Sequence, residues 1–246
     1  MLLLSMTATE MRQSIEADYP AIAHKTADIL KQWRKRVLRT NRTRRMAWVQ
    51  SITCAKSKQE YMFVFVWDPD VRRLDYFILF AVVHDYTHTY YIADTVHDEI
   101  GDTLTAYTDH FFHRFAERTG MGTGIPIEQA IVAYYRGYTQ PVLLYWDQDA
   151  DVHRAVYAEQ QGIKLADVDT NKWILYRTFI SLDMLKPTQR EAYRNVMELI
   201  ERGTDLRNKC DRTYGRWRDY MKKEDEESSI DIINKARDIY AQYFEN

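Results

Sequence analysis

Two runs of β-branched and aromatic residues in the first third of the chain favour a β-sheet. The runs are Met46–Ala55 and Gln59–Trp67, and only the polar Lys56-Ser57-Lys58 separates them. β-Branched and aromatic side chains fit a pleated, half-buried surface, and a short polar break between two such runs is typical of a hairpin turn. The sequence therefore predicts a sheet in this part of the protein.

Further strand patterns and helical patterns follow along the chain. Strands are predicted at Tyr76–Val83, Thr89–Ala93, just before residue 109, Val142–Trp146, about Arg154–Ala158 and Trp173–Ser181, with turns at Gly162 and 167–171. Helices are predicted at 7–40, broken in two by Pro20, and at 109–118, Ile127–Arg136, 182–208 and Ile230–Phe244. Together these patterns indicate the α+β class, with a mainly antiparallel sheet and N-terminal, central and C-terminal helices.

The composition is that of a globular protein. The chain has 246 residues, of which 46% are hydrophobic and 28% charged, so it is long enough to bury a core. We divide it into an N-terminal helical region with a basic stripe (1–45), an α+β core (46–185) and a C-terminal helical region (186–246). The net charge of -2 excludes a globally basic nucleic-acid binder but leaves local basic patches open.

The cysteines and the N-terminus favour an intracellular location. Cys54 and Cys210 are far apart and have no metal-ligand spacing, as expected for reduced thiols in a cytosol. The segment Met1-Leu2-Leu3-Leu4 is short and lacks the charged region of a signal peptide. No run approaches the roughly 18 apolar residues of a membrane span. We therefore expect a soluble, cytoplasmic protein without a membrane partner.

The helix predicted at 109–118 carries the most chemically suggestive residues. His110, His113, Arg114 and Glu117 fall on one helical face, and Arg118 follows. A metal-independent ribonuclease needs a base, an acid and a cation on the phosphate, which imidazoles and guanidinium groups supply. His110 and His113 would transfer protons, Arg114 and Arg118 would hold phosphate, and Glu117 would orient one of them. The alternative is that Arg114, Glu117 and Arg118 form structural ion pairs.

A basic stripe precedes the first predicted strand. Eight cations occur between residues 31 and 45 without an acidic residue: Lys31, Arg34, Lys35, Arg36, Arg39, Arg42, Arg44 and Arg45. Such a stripe binds phosphates if its members share a face, so Lys31, Arg34, Lys35, Arg39 and Arg42 are candidate RNA contacts. The alternative is a solvated helix end, where cations are favoured by the helix dipole.

The order of motifs between about residues 104 and 185 resembles a known group of toxins. The motif His110-x-x-x-Arg114-x-x-Glu117-Arg118 precedes a second helix and then strands ending in Arg177-Thr178-Phe179-Ile180-Ser181. This order is similar to the barnase/EndoU/colicin/RelE group of small α+β ribonuclease toxins, and to an uncharacterised bacterial family with His-Phe-Phe-x-Arg and Thr-Phe-Ile-Ser words. The resemblance implies a toxin or antiphage-defence nuclease that uses His110, Arg114, Arg118 and Thr178, without a cofactor.

Two other functions are left open by the sequence. If residues around 84–88 are helical, His84 and His88 could bind zinc, with Asp85 as the base of a zinc-dependent hydrolase. In a strand the same two histidines would be roughly 13 Å apart. The third function is a non-catalytic interaction protein, in which the amphipathic segment Ile230–Phe244 docks on the body or binds a protein partner.

Overall fold

The computed structural model of the chain describes residues 1–39, 45–67, 74–93, 104–137, 142–147, 153–159, 161–169, 172–191 and 193–198. For 38, 74–77, 142–147 and 153 it describes the backbone alone. The elements are α1 (Ala8–Arg39), β1 (Met46–Thr53), β2 (Glu60–Trp67), β3 (Leu74–His84), β4 (Thr89–Ala93), β5 (Leu104–Thr108), α2 (Asp109–Arg118), α3 (Ile127–Arg136), β6 (Val142–Asp147), β7 (His153–Glu159), β8 (Gly162–Asp169) and β9 (Trp173–Ser181). A 3-10 turn (Leu182–Met184) and helical residues 187–191 and 193–198, which we call α4, follow.

All nine described strands form one sheet, in the order β1-β2-β3-β4-β5-β9-β8-β7-β6. Every neighbouring pair is antiparallel except β5 and β9, which are parallel. The sheet therefore consists of two antiparallel meanders, β1–β5 and β6–β9, that meet at one parallel pair. Helices α2 and α3 connect the end of the first meander to the start of the second. The predicted α+β class with a mainly antiparallel sheet is confirmed.

The sheet is covered by helices on both faces. On β2, Met62, Val64 and Val66 belong to the core on the side of α2 and α3. The alternating residues Tyr61, Phe63, Phe65 and Trp67 belong to the core on the side of α1. Because successive side chains of a strand point to opposite faces, a strand buried on both sides reads as a continuous apolar run, as β2 does.

The predicted break at Pro20 is wrong. Helix α1 runs through Pro20 as one helix of 32 residues. A proline in a helix interior removes a backbone hydrogen bond and crowds the preceding turn. On both sides of it, however, apolar side chains of α1 pack against the same sheet face, namely Met11, Ile22, Ile29 and Trp33. This shared burial stabilises the continuous helix despite the proline.

The sequence-based interpretation also missed strand β8. The turns predicted at Gly162 and at 167–171 overlap the two ends of this strand: Gly162–Asp169 pairs with β7 on one side and β9 on the other, and the backbone N–H of Lys172 donates to the carbonyl oxygen of Asp169. The segment contains Lys164 and Asp167, which are unfavourable in strands, so its own pattern is weak. Gly162 starts the strand, and a Cβ there would lie 2.1 Å from the carbonyl oxygen of Ile180. The neighbouring strands therefore decide this element.

Several predictions fall outside the described residues: the helix Ile230–Phe244, the part of the 182–208 helix beyond 198, and Arg42 and Arg44 of the basic stripe. Among the helices that the structure does describe, none is long and apolar enough to cross a membrane.

Candidate functional site

The polar face of helix α2 points towards solvent. A side-chain cap fixes where the helix starts, and buried aromatic residues fix its opposite face. Thr108, the last residue of β5, caps the helix by accepting a hydrogen bond of 3.1 Å from the backbone N–H of Phe111. Phe111, Phe112 and Phe115 are buried against the sheet and α3. The side chains between them on the helix therefore face outwards, where the candidate residues lie.

Three of the predicted residues form a hydrogen-bonded row along α2. Arg114 donates through Nε to Nε2 of His110 at 3.3 Å, and through Nη1 to Oε2 of Glu117 at 2.7 Å. The side chains of Arg114 and Glu117 are 40% and 41% exposed, and His110 is exposed as well. The ion pair of the structural alternative is present, but it lies at the surface, where a ligand can compete for it.

His88 joins this row from the hairpin between β3 and β4. Its Nδ1 lies 3.2 Å from Oδ1 of Asp109, the first residue of α2, and its ring centroid lies 6.4 Å from that of His110. Tyr90 packs against the same imidazole edge to face, with centroids 6.4 Å apart. The residues His88, Asp109, His110, Arg114 and Glu117 are called the histidine cluster below.

Burial and neighbouring charges shift the pKa of His110. Partial burial lowers the pKa of His110 below its ordinary value, and the positive charge of Arg114 lowers it further, with a smaller contribution from His88. Asp109 acts in the opposite direction. Burial and nearby cations both disfavour the imidazolium form, so they favour the neutral imidazole, which can accept a proton.

Arg118 and Thr178 meet each other on the β9 side of α2. Arg118 donates through Nη1 to Oγ1 of Thr178 at 3.3 Å and to the carbonyl oxygen of Phe179. This guanidinium therefore ties α2 to β9. The exposed His113 has no hydrogen-bond partner among the described side chains, and its assignment to proton transfer stays a prediction.

The helix on which the zinc alternative depends is absent from the described residues 84–88, so that arrangement is wrong. His84 ends β3, and His88 precedes β4. Nδ1 of His84 lies 3.0 Å from Oγ1 of Thr89, and Nε2 of the same ring lies 3.4 Å from Oε2 of Glu60. His84 pairs with Thr89 across the antiparallel strands β3 and β4, in the place where the zinc site requires a helix. In the described part of the chain, no three His, Cys, Asp or Glu side chains converge as metal ligands would.

The basic stripe lies on the other side of the sheet from α2. Lys31, Arg34, Lys35 and Arg39 are exposed on the last turns of α1, and Trp33 of this helix packs on Phe65. Because Phe65 faces α1 while its neighbours on β2 face α2 and α3, the cations of α1 and helix α2 lie on opposite faces of the sheet.

The sequence patterns do not predict the contact between His88 and His110, because they assign His88 to the zinc hydrolase and His110 to the ribonuclease. The sequence offered His88 only as a zinc ligand and His110 only as part of α2. The sequence does predict two successive strands between these histidines, and successive strands commonly pair. In the structure β4 and β5 pair antiparallel, with Tyr90 opposite Thr108, which brings His88 next to the start of α2. Comparisons with protein-family models, with curated proteins and with solved structures found no match to the chain.

Proposed function

We propose that the protein binds RNA and cleaves it without a metal ion. In this reaction a 2′-hydroxyl attacks the adjacent phosphodiester and displaces the 5′-oxygen. The observation that supports this is the pair of imidazoles, with ring centroids 6.4 Å apart and different polar partners. His88 is held by the carboxylate of Asp109, and His110 by the guanidinium of Arg114. Two imidazoles in different environments are suited to act as a base and an acid in one reaction.

In the proposed reaction His110 is the base. Its Nε2 takes the proton of the 2′-hydroxyl, and the 2′-oxygen then forms a bond to phosphorus. In the free protein this nitrogen accepts a hydrogen bond from Arg114. A phosphate group binds guanidinium bidentately, so the substrate would draw Arg114 away and release the lone pair of His110 at the moment it is needed.

His88 is the acid in the same reaction. As the bond from phosphorus to the 5′-oxygen breaks, that oxygen takes a proton from His88, which gives a 5′-hydroxyl and a 2′,3′-cyclic phosphate. Asp109 holds Nδ1 of His88 at 3.2 Å, which fixes the ring and leaves Nε2 to exchange the proton. Asp109 is therefore a positioning residue.

The exposed cations of α1 would provide a second surface for the RNA backbone. Lys31, Arg34, Lys35 and Arg39 lie on one helix and face solvent, as phosphate contacts require. Since they lie across the sheet from α2, their contribution to RNA affinity can be measured separately from cleavage. The double variant Arg34→Glu/Lys35→Glu should weaken binding of long RNA and flatten its salt dependence, while cleavage of a short oligonucleotide is unchanged.

The central test is cleavage of a labelled RNA oligonucleotide in the presence of EDTA, with detection of the cyclic phosphate product. The variants His88→Ala and His110→Ala should each lower the rate about 10²- to 10⁴-fold, since this is the usual contribution of a general acid or base. His24→Ala, an exposed histidine on α1, is the matched control and should cleave normally.

Intact RNA after prolonged incubation with the wild-type protein would reject the proposal. The variant His113→Ala decides between the two assignments of proton transfer. If its rate falls as far as that of His110→Ala while His88→Ala cleaves normally, the acid is His113 on α2 rather than His88 on the hairpin.

A further inference from the structure

The tip of the β3–β4 hairpin carries an aromatic ring that lies entirely in solvent. Tyr86 is 105% exposed, more than any other large hydrophobic side chain in the described part of the chain. An aromatic ring has a large apolar face and gains free energy when that face is covered. Nothing in the described fold covers the ring of Tyr86, so its whole face is accessible for a ligand to stack on.

The turn places the backbone of Tyr86 close to the histidine cluster. The backbone N–H of Asp85 donates to the carbonyl oxygen of His88 at 2.9 Å and closes the turn. The backbone N–H of Tyr86 donates to Oδ1 of Asp85 at 2.7 Å. Only one residue separates Tyr86 from His88, so their Cα atoms are at most about 7 Å apart.

We infer that Tyr86 stacks on a nucleobase next to the cleaved phosphodiester, and that the substrate is therefore single-stranded RNA. The inference rests on the proposed function, because the histidine cluster marks where the phosphodiester is held. A tyrosine can stack only on a base whose face is free. In a duplex both faces of each base are covered by its neighbours. A strand that places its phosphodiester between His88 and His110 can therefore stack on Tyr86 when the neighbouring base is unstacked, as in single-stranded RNA.

The surroundings of Tyr86 favour a base over an apolar protein surface. Asp85 and Thr87, on either side of it, are polar and exposed. A protein partner that docks by the hydrophobic effect needs a contiguous apolar patch, whereas a base needs one ring of its own size. The neighbouring Tyr90 is partly buried against the core on the α1 side, so it does not extend the apolar surface.

The test measures binding of a fluorescently labelled 2′-O-methyl oligoribonucleotide, which cannot be cleaved by attack of the 2′-oxygen. Tyr86→Ala should weaken binding of the single strand roughly 5- to 150-fold, the loss expected from one base stack, and Tyr86→Phe should bind within about twofold of wild type. The same strand annealed to its complement should bind more weakly, and Tyr86→Ala should not affect it. Tyr19→Ala is the matched control, because Tyr19 is 51% exposed on α1.

The outcomes separate this inference from the proposed function when cleavage of unmodified RNA is measured in parallel. If wild type and Tyr86→Ala bind the single strand equally while wild type cleaves RNA, the role of Tyr86 is rejected and the proposed function stands. If wild type fails to cleave but binding depends on Tyr86, the cleavage proposal fails and the stacking site stands. Preference for the duplex over the single strand overturns the inference in either case.

Discussion

The ammonium group of Lys164 lies 2.8 Å from Oε1 of Glu159, and the two side chains are 0% and 5% exposed. The same carboxylate oxygen accepts a hydrogen bond of 2.6 Å from the hydroxyl of Tyr134 on α3. Tyrosine rings surround the ammonium group, with Tyr176 closest at 3.9 Å from its centroid and Tyr107, Tyr157 and Tyr134 further out. A buried charge of this kind is tolerated because a carboxylate and aromatic faces replace its hydration.

This ion pair links two strands of the second meander to α3. Lys164 belongs to β8 and Glu159 ends β7, while Tyr134 reaches them from α3. The hydroxyl of Tyr193 on α4 donates to the backbone carbonyl oxygen of Glu159. The pair therefore ties α3 to the second meander, and the backbone of Glu159 holds α4.

We expect Lys164→Met to lower the free energy of unfolding by about 3–5 kcal/mol, because it leaves the carboxylate of Glu159 buried without its cation. The double variant Lys164→Met/Glu159→Gln should be more stable than Lys164→Met, since it removes both charges. Urea denaturation followed by far-UV circular dichroism measures the differences. If Lys164→Met unfolds at the same urea concentration as wild type, Lys164 is not a buried partner of Glu159.

The second prediction concerns the pH dependence of cleavage. Burial and the charge of Arg114 hold the pKa of His110 below 6.5, its ordinary value. A base has to be neutral, so cleavage should decline as pH falls through this lowered pKa. Arg114→Gln removes a positive charge, raises the pKa of His110 and moves the decline to higher pH, although it also weakens the grip on phosphate. NMR titration of the His110 ring measures the pKa without substrate.

Arg34→Gln on α1 is the control for that titration, because it removes an equivalent charge across the sheet and should leave His110 unchanged. A pKa of His110 above 6.5 in the wild-type protein would contradict the neutral base.

The third prediction tests whether α1 is one helix. An interior proline costs about 3 kcal/mol relative to alanine, so Pro20→Ala should raise the free energy of unfolding by up to that amount. The exposed position of Pro20 leaves room for the substitution. Ser14→Ala, in the same helix, should change stability by no more than about 0.7 kcal/mol. Thermal denaturation compares the two, and equal melting temperatures for Pro20→Ala and wild type would indicate a helix that is interrupted at this residue.

The elements with strong local patterns could be predicted from the sequence. β1, β2, β9, α2 and α3 have periodic or continuous apolar residues, and the residues that cap α2 and start α3 lie next to them in the chain. Strand β8 lacks such a pattern, and its pairing with β7 and β9 forms it. Pro20 shows the opposite case, in which packing over a long helix outweighs a strong local signal.

The sequence by itself determined the α+β class and the polar face of α2, because both depend on neighbours within a few residues. Only the tertiary structure decided that His88 stands beside Asp109, 21 residues later in the chain, and that Lys164 lies among the tyrosines. These meetings depend on which strands pair and in which register. The free energy that selects a register comes from burying the whole sheet, so no short stretch of residues contains it.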